Sequence, residues 1–334
     1  MIMPKVRGTR FDDTLTASSR KNEILYGKAG DDAFVFHAFG RGDKFLGGGG
    51  DDHLGGIRFD IDASGPSFSR NDITYNGGKG IDTIAFEIDV HTSKIKLGQF
   101  GTRTVSVEQS AYEIGFHSET GRIVGSARDE MVVLDNYLKV HDMRSLNVNL
   151  KGGDDVFRTD TINSGFGSIR IDLGAGDDTV MLSQSAHGAR IKGGKGDDFI
   201  FGGRVASERI LAGSGDDTIL AVNGSIGQQA IDTIATGSGK DTIVVTSNLY
   251  AIAGQGQVLD FNTRRDTVLI ADIGAADLVF AKKNADDPYT NAWTMDNRAG
   301  ILYWSDRPVL DFGGRTDLTA RNFVTDDSSY DFMV

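Results

Sequence analysis

The chain has 334 residues, a net charge of −12 and no cysteine, so disulfides, thiolate chemistry and cysteine-based zinc sites are excluded. Its 44 glycines, only 4 prolines and 39% hydrophobic residues exclude collagen and disorder, and indicate a chain that turns often. The acidic balance without a basic cluster argues against nucleic acid or an anionic membrane as partner, and no apolar run is long enough to predict a membrane span.

The acidic residues are strongly biased towards aspartate, because only seven of the 47 acidic side chains are glutamates. A plain acidic surface would use both residue types. Short carboxylates beside glycines suit turns and the ligation of hard cations. The composition therefore indicates acidic turns that can bind metal.

A Gly-x-Gly-Asp-Asp phrase followed by an apolar residue recurs along the first part of the chain. Its second aspartate falls at Asp32 and, twenty residues later, at Asp52, while a related Gly-x-Gly-x-Asp phrase thirty residues further on ends at Asp82. An earlier copy around Asp13 carries Phe11 where a glycine is expected. A fixed period with an acidic, glycine-rich corner predicts the coils of a solenoid, each burying its apolar face against its neighbours.

Alternating apolar and polar residues follow these corners, as at residues 83–86, and this period of two predicts short strands. The thirty-residue step contains a polar insert, residues 59–71, with a Gly65-Pro66 turn. We predict that the insert is a loop between coils, and its length argues against a calcium ion shared by Asp52 and Asp82.

The repeat fades over residues 89–147. The phrase GSARDEMVVL keeps its outline, with Arg128 in place of a glycine and Glu130 in place of the aspartate. Alternating runs at residues 104–107 and 131–134 still predict strands. We therefore predict coils of the same solenoid without the corner chemistry.

A second and more regular array begins after the faded stretch. Steps of 23, 20, 19 and 24 residues separate its corner aspartates, which are Asp155, Asp178, Asp198, Asp217 and Asp241. The half-coils between these corners turn without the motif, so the sequence predicts that only one edge of the array is equipped for metal. The period stops after Gly256.

The period divides the chain into four predicted regions. They are a first repeat array at residues 1–88, degenerate coils at 89–147, a second array at 148–256 and a capping region at 257–334. The last region has no repeat and carries both tryptophans. A solenoid needs such a cover, since an open last coil exposes an unpaired strand edge. The predicted fold is an all-β parallel β-roll or β-helix with a C-terminal β cap.

The best copy of the repeat, residues 193–201, reads Gly-Gly-Lys-Gly-Asp-Asp-Phe-Ile-Phe. Its glycines permit positive φ, so the first six residues can curl with their carbonyls on one side, where the sixth-position aspartate adds a carboxylate. Carbonyl and carboxylate oxygens in a flexible shell suit calcium, whereas magnesium demands a stricter octahedron and zinc prefers nitrogen or sulfur.

Stacking of the coils places the carboxylates of successive corners about 5 Å apart. At that distance two charges repel by roughly 3 kcal/mol at an effective dielectric constant of about 20. A calcium ion shared by each adjacent pair would turn this repulsion into ligation, so that metal binding contributes folding free energy.

The nonapeptide Gly-Gly-x-Gly-x-Asp-x-apolar-x resembles that of the RTX, or hemolysin-type calcium-binding, repeat proteins, in patches over residues 8–270. The resemblance implies a right-handed parallel β-roll with several calcium ions between stacked loops, type I secretion machinery as the export partner and an extracellular location. The end of the chain, Asp331 followed by apolar residues, resembles an uncleaved secretion signal. The metal ligands that the resemblance implies are sixth-position carboxylates and corner carbonyls, at Asp32, Asp52, Asp82, Asp155, Asp178, Asp198, Asp217, Asp241, Gly30, Gly50, Gly80, Gly153, Gly176, Gly194, Gly196, Gly213, Gly215 and Gly239.

Two functional hypotheses stay open. The first is a secreted, non-enzymatic calcium-binding module that folds on extracellular calcium and contacts an extracellular polysaccharide or a cell-surface component. The second is a polysaccharide lyase or epimerase with its site around residues 105–145, which gather Tyr112, Glu113, His117, Arg122, Tyr137, His141 and Arg144. No His-Glu-x-x-His or Gly-x-Ser-x-Gly is present, and Asp241 replaces the Ser or Thr of a phosphate-binding loop, so the first hypothesis is favoured.

Overall fold

The structure, a computed structural model, describes residues 4–18, 22–36, 43–62, 65–66, 73–91, 94–97, 102–105, 109–116, 120–134, 144–159, 168–182, 188–202, 208–220, 232–246, 256–271, 278–280, 293–304 and 307–326. Nearly every regular element in these ranges is a strand, and the helical part that they include is a single 3-10 turn, Ala320–Asn322. No helix in the described ranges has the length and apolar character needed to cross a membrane.

The chain divides into two compact units. One comprises Met1–His141 and Gly152–Phe157, and the other comprises Asp142–Lys151 and Arg158–Val334. Each unit is built from parallel strands that pair in sequence order with every second strand along the chain. This pattern is that of a parallel β solenoid and confirms the predicted fold class. The four predicted regions follow the sequence period rather than this division, and their boundaries stay predictions.

In the first unit, successive strands alternate between two parallel sheets. Sheet 1 contains β1 (Lys5–Arg7), β3 (Ile24–Tyr26), β5 (Asp43–Gly49), β8 (Ile73–Lys79) and β11 (Thr102–Val105). Sheet 2 contains β2 (Thr14–Ala17), β4 (Ala33–Phe36), β6 (His53–Asp62), β9 (Thr83–Val90), β12 (Gln109–Phe116) and β14 (Asp129–Leu134). The remaining strands are β7 (Gly65–Pro66), a parallel pair made of β10 (Ile95–Lys96) and β13 (Thr120–Val124), and β16 (Val156–Thr159), where the division between the units falls.

The core of the first unit follows from the period-two alternation of these strands, which turns every second side chain inward. Phe34 of sheet 2 is fully buried, and its ring packs edge-on against Phe45 at 5.8 Å and Tyr75 at 6.2 Å, both from sheet 1. Burial of each large apolar side chain stabilises the fold by roughly 1.5–3 kcal/mol. The faded stretch keeps the same architecture, because β12 pairs in parallel and in register with β9 and β14.

The prediction that residues 59–71 form a loop is wrong for the part that the structure describes. β6 continues to Asp62, pairs with β9 beyond a register shift at residues 54–57, and then pairs antiparallel with the short strand β7. The described part of the insert, residues 59–62 and 65–66, thus pairs within sheet 2 and a hairpin. The corners on either side stay in register, since Gly48 pairs with Gly78.

In the second unit, strands again alternate between two sheets. Sheet 3 has a parallel part with β15 (Ser145–Asn149), β17 (Ile169–Ala175), β19 (Arg190–Lys195), β21 (Arg209–Ser214), β23 (Thr233–Ser238) and β25 (Gly256–Val258). Sheet 4 contains β18 (Thr179–Met181), β20 (Phe199–Phe201), β22 (Thr218–Leu220), β24 (Thr242–Thr246), β26 (Thr267–Ala271) and β31 (Phe323–Asp326). Four buried isoleucines form a ladder across sheet 3, namely Ile171, Ile191, Ile210 and Ile234.

The predicted cap is confirmed as β structure that departs from the repeat. Sheet 3 ends with β30 (Arg307–Asp311), β29 (Ile301–Trp304), β28 (Trp293–Asp296) and β27 (Leu278–Phe280), and β29 runs antiparallel to both of its neighbours. Trp293 is fully buried beside Trp304, with ring centroids 5.2 Å apart. The parallel coils extend one further than Gly256, because β26 pairs in register with β24.

Candidate calcium-binding corners

Each copy of the motif forms a corner that leads from a strand of sheet 1 or 3 into a strand of sheet 2 or 4. The sixth-position aspartate, here called the inner aspartate, lies directly before that second strand, as Asp198 lies before β20. All eight predicted inner aspartates are at most 2% exposed: Asp32, Asp52, Asp82, Asp155, Asp178, Asp198, Asp217 and Asp241. The structure therefore places every predicted carboxylate at the same buried point of its coil.

One oxygen of each inner carboxylate links neighbouring coils. The amide of Asp178 donates to Oδ1 of Asp198 at 3.0 Å, and the amide of Asp198 donates to Oδ1 of Asp217 at 2.9 Å. In the first unit, the amide of Asp52 donates to Oδ1 of Asp82 at 2.9 Å in the same way. The long step before Asp82 therefore leaves the stacking of these two corners intact.

The second oxygen, Oδ2, is buried without a donor in five corners. Within the described ranges it accepts no hydrogen bond in Asp32, Asp52, Asp198, Asp217 and Asp241. In the corners of Asp32, Asp52 and Asp198 it lies against the first glycine: a Cβ added to Gly193 would come 2.3 Å from Oδ2 of Asp198 and 2.4 Å from the carbonyl oxygen of Ala212 in the next coil. A buried ionised oxygen without a donor is costly, and a cation or a proton offsets that cost.

The corner glycines shape the backbone as predicted. All ten glycines named from the sequence have positive φ, namely Gly30, Gly50, Gly80, Gly153, Gly176, Gly194, Gly196, Gly213, Gly215 and Gly239. Coils also approach closely here, since a Cβ on Gly196 would lie 2.1 Å from the carbonyl oxygen of Gly176. The carbonyls of the corner are thereby directed at the neighbouring coil, which a side chain would prevent.

Burial raises the pKa of the inner carboxyls. The pKa of Asp198 and that of Asp217 rise to about 7, first because burial disfavours the charged form and then because neighbouring aspartates repel it. The pKa of Asp52 and that of Asp241 rise to about 6 for the same leading reason. Backbone N–H donors lower each pKa in part, as expected of donors to a carboxylate.

The fifth position forms a second, exposed ladder that sequence reasoning missed. The amide of Asp197 donates to Oδ1 of Asp177 at 2.7 Å, and that of Asp216 donates to Oδ1 of Asp197. These bonds run in the opposite direction to those of the inner ladder, so each corner is tied to both neighbours. The Asp-Asp doublet in the motif could have revealed this ladder, since both residues recur with the same period.

The opposite edge also carries buried carboxylates, which were not among the predicted site residues. Glu23, Asp43, Glu208 and Asp232 lie at the starts of β3, β5, β21 and β23, respectively, and are at most 3% exposed. The amide of Glu208 donates to Oδ1 of Asp232 at 3.0 Å, which repeats the inner-ladder contact. The sequence signal was an acidic residue before each alternating run; it was missed because glycines do not precede it in a fixed pattern.

The degenerate copies of the motif, around Asp13 and Glu130, make the same contact as the inner ladder. The amide of Asp13 donates to Oδ1 of Asp32 at 2.9 Å, and the amide of Glu130 donates to Oδ1 of Asp155 at 2.8 Å. At the other end, the amide of Asp241 donates to Oδ1 of Asp266 at 3.4 Å. The longer side chain of Glu130 thus occupies the aspartate position without breaking the stack.

The described residues of the enzyme hypothesis differ in their exposure to solvent. Tyr112 is 3% exposed and its ring stacks on Phe86 at 5.2 Å, so it belongs to the core. Glu113 and Arg122 are exposed, as is Arg144. His117, Tyr137 and His141 lie outside the described residues.

The donor set of the corners fits calcium. It consists of carboxylate and carbonyl oxygens alone, which a hard cation takes in a flexible shell, and it supplies the buried Oδ2 atoms that need a positive partner. No three Asp, Glu or His side chains of the described ranges converge into a metal site made of side chains only. A cation between two coils would therefore take one carboxylate from each corner and complete its shell with corner carbonyls.

No protein-family model matches the chain, and no curated protein shows significant sequence similarity to it. The resemblance to RTX repeats therefore rests on the sequence motif alone.

The raised pKa values predict that protons can partly replace the cation. A carboxyl whose folded pKa lies above its ordinary value of 3.8 stabilises the fold at low pH, and that stability is lost as pH rises towards about 7. We expect calcium-stripped protein to gain β circular dichroism signal on acidification from pH about 8 to about 5. A signal that falls over this range would contradict the buried, proton-binding state of Asp198 and Asp217.

Proposed function

We propose that the chain is a calcium-binding β-roll of the RTX type, which folds when it meets extracellular calcium and then serves as a structural or interaction module outside the cell. The observation that carries the proposal is the inner ladder, in which buried Oδ2 atoms without donors recur from coil to coil. Calcium would supply positive charge between adjacent corners, and the carboxylates together with corner carbonyls would hold it. Low calcium inside the cell would keep the chain open for type I secretion.

The energetic argument supports a cation rather than bare carboxylates. Neighbouring inner carboxylates, if ionised, repel by roughly 3 kcal/mol per pair at an effective dielectric constant of about 20. Several such pairs together are comparable to the whole stability of a folded domain, about 5–15 kcal/mol. Calcium that binds only to the folded state would reverse this balance by mass action.

The test compares Asp198→Asn with Asp197→Asn by isothermal titration with calcium. Asp198 lies within the inner ladder, between Asp178 and Asp217, so its loss should weaken binding by at least about tenfold, or 1.4 kcal/mol, at two neighbouring sites. Asp197 is its exposed neighbour and carries the same charge. The control variant should bind calcium within about twofold of the wild type.

Equal losses in the two variants would mean that calcium responds to surface charge rather than to the inner ladder. Absence of calcium binding by the wild-type protein would remove the proposal altogether. Either result can be read from the same titration, because the two variants differ by one position in one corner.

A further inference from the structure

An exposed column of arginines crosses sheet 3. Arg170 pairs with Arg190, and Arg190 pairs with Arg209, in the registers of β17, β19 and β21. Each arginine lies eight residues before its inner aspartate, so the same position of three successive coils carries the same side chain. All three are exposed, on the face opposite the isoleucine ladder. We define these three residues as the arginine column.

The column is electrostatically unfavourable for the isolated protein. Like charges directly opposite each other on neighbouring strands destabilise a sheet. Arg190 and Arg209 form no ion pair with any residue in the described ranges, and Arg170 reaches only the side-chain oxygen of Asn147, at 3.5 Å. In the next row of the same face, by contrast, Lys192 pairs with Asp172 at 3.1 Å. The chain therefore compensates charge on this face but leaves the column uncompensated.

The geometry points to a linear anionic ligand that runs along the stacking direction. Adjacent strands are about 4.8 Å apart, so the three guanidinium groups recur with that spacing along one line. Guanidinium groups bind carboxylates and phosphates through paired N–H donors. A ligand with one anionic group per repeat unit could contact all three arginines at once and gain avidity from the array.

Among anionic polymers, a carboxylated polysaccharide fits best. One pyranose ring is about as long as the strand spacing of about 4.8 Å, whereas stacked nucleotides advance only about 3.4 Å per strand. Single-stranded nucleic acid also uses aromatic side chains as stacking platforms. Two rows of side chains face outward from β17, β19 and β21, and neither contains an aromatic residue. One row is Arg170, Arg190 and Arg209, and the other is Asp172, Lys192 and Leu211.

We propose that the arginine column is a binding surface for a linear uronate-type polysaccharide. This surface is separate from the corners, and it rests on the proposed function only because calcium is expected to fold the chain. It gives an acidic protein a local site for an acidic polymer, which the net charge of −12 alone would repel. Basic residues that are far apart in sequence are brought into one line by the period of the coils.

The experiment measures binding of a short galacturonate oligomer to the folded, calcium-loaded chain by isothermal titration. The variant Arg170→Gln, Arg190→Gln, Arg209→Gln should weaken binding by at least about tenfold. The matched control, Arg264→Gln, Arg265→Gln, Arg321→Gln, removes the same charge from exposed positions outside the column and should change binding by less than about threefold. The methyl ester of the oligomer, which lacks the carboxylates, should bind neither variant nor wild type.

The proposal would be overturned by equal losses in both triple variants, by equal binding of the methyl ester, or by tighter binding of a single-stranded oligonucleotide than of the uronate oligomer. The thermal midpoint separates binding from folding: removal of like charges from the column should leave it unchanged or raise it. A wild-type protein that does not bind the acidic oligomer would also end the proposal, and the calcium titration of Asp198→Asn would be unaffected by that outcome.

Discussion

Calcium-stripped protein at neutral pH should lose most of its β circular dichroism signal and should regain it in a cooperative calcium titration. The inner carboxylates are buried and stacked on one another from Asp32 to Asp82 and from Asp178 to Asp241, and five of them present an oxygen without a donor. Ionised and without a cation, each neighbouring pair costs roughly 3 kcal/mol at an effective dielectric constant of about 20. Because the coils share these corners, we expect most of the β structure to appear together.

The effect of calcium on folding must be distinguished from the effect of ionic strength. Sodium at equal ionic strength should restore little signal, since screening acts weakly on buried charges. Magnesium should be less effective than calcium, because it demands a strict octahedron and gives up water reluctantly. A chain that stays fully folded in chelator at neutral pH would show that protons or backbone donors alone stabilise the corners, and it would contradict the proposed folding switch.

The period was sufficient to predict the inner ladder and the fold. Residues separated by one whole coil fall at the same edge, so a spacing of nineteen or twenty residues already placed Asp178, Asp198 and Asp217 in one stack. The glycines added the backbone shape, because positive φ is open to them and costly for most other residues. Lys28 and Lys151, with φ of 96° and 79°, show that the corner geometry persists even where glycine is missing.

Other features could not be predicted because they depend on pairing rather than on motif. The carboxylates of the opposite edge, such as Glu208 and Asp232, have no common glycine pattern, and only the register of β21 and β23 aligns them. The arginine column does not form a basic cluster in the sequence, because its members are about one coil apart. The insert before Asp82 looked like a loop by composition, yet pairing with β9 makes its described part a strand.

The second large effect is expected at the first glycine of a corner. A Cβ on Gly47 would lie 2.0 Å from Oδ2 of Asp52 and 2.3 Å from the carbonyl oxygen of Gly77. Gly47→Ala should therefore displace the inner carboxylate and destabilise the calcium-loaded fold by about 1–3 kcal/mol, the usual cost of overpacking. At roughly 2–4 °C per kcal/mol, its thermal midpoint should fall by about 2–12 °C.

Gly49→Ala is the matched control, two residues away in the same corner. No atom lies within 4 Å of a Cβ added there, and neither Gly47 nor Gly49 has a φ in the left-handed region. The control should change stability by no more than about 0.5 kcal/mol. The pair thus separates a clash with the carboxylate from any general effect of replacing glycine.

The same contact recurs at Gly193, which permits a second test in the other unit. Gly193→Ala would bring a methyl group 2.3 Å from Oδ2 of Asp198, and it should lower calcium affinity as well as stability. If Gly47→Ala and Gly193→Ala were both as stable as Gly49→Ala, the inner carboxylate would not be packed against the first glycine. Loss of stability with unchanged calcium affinity would separate corner packing from metal binding, because a displaced ligand must affect both.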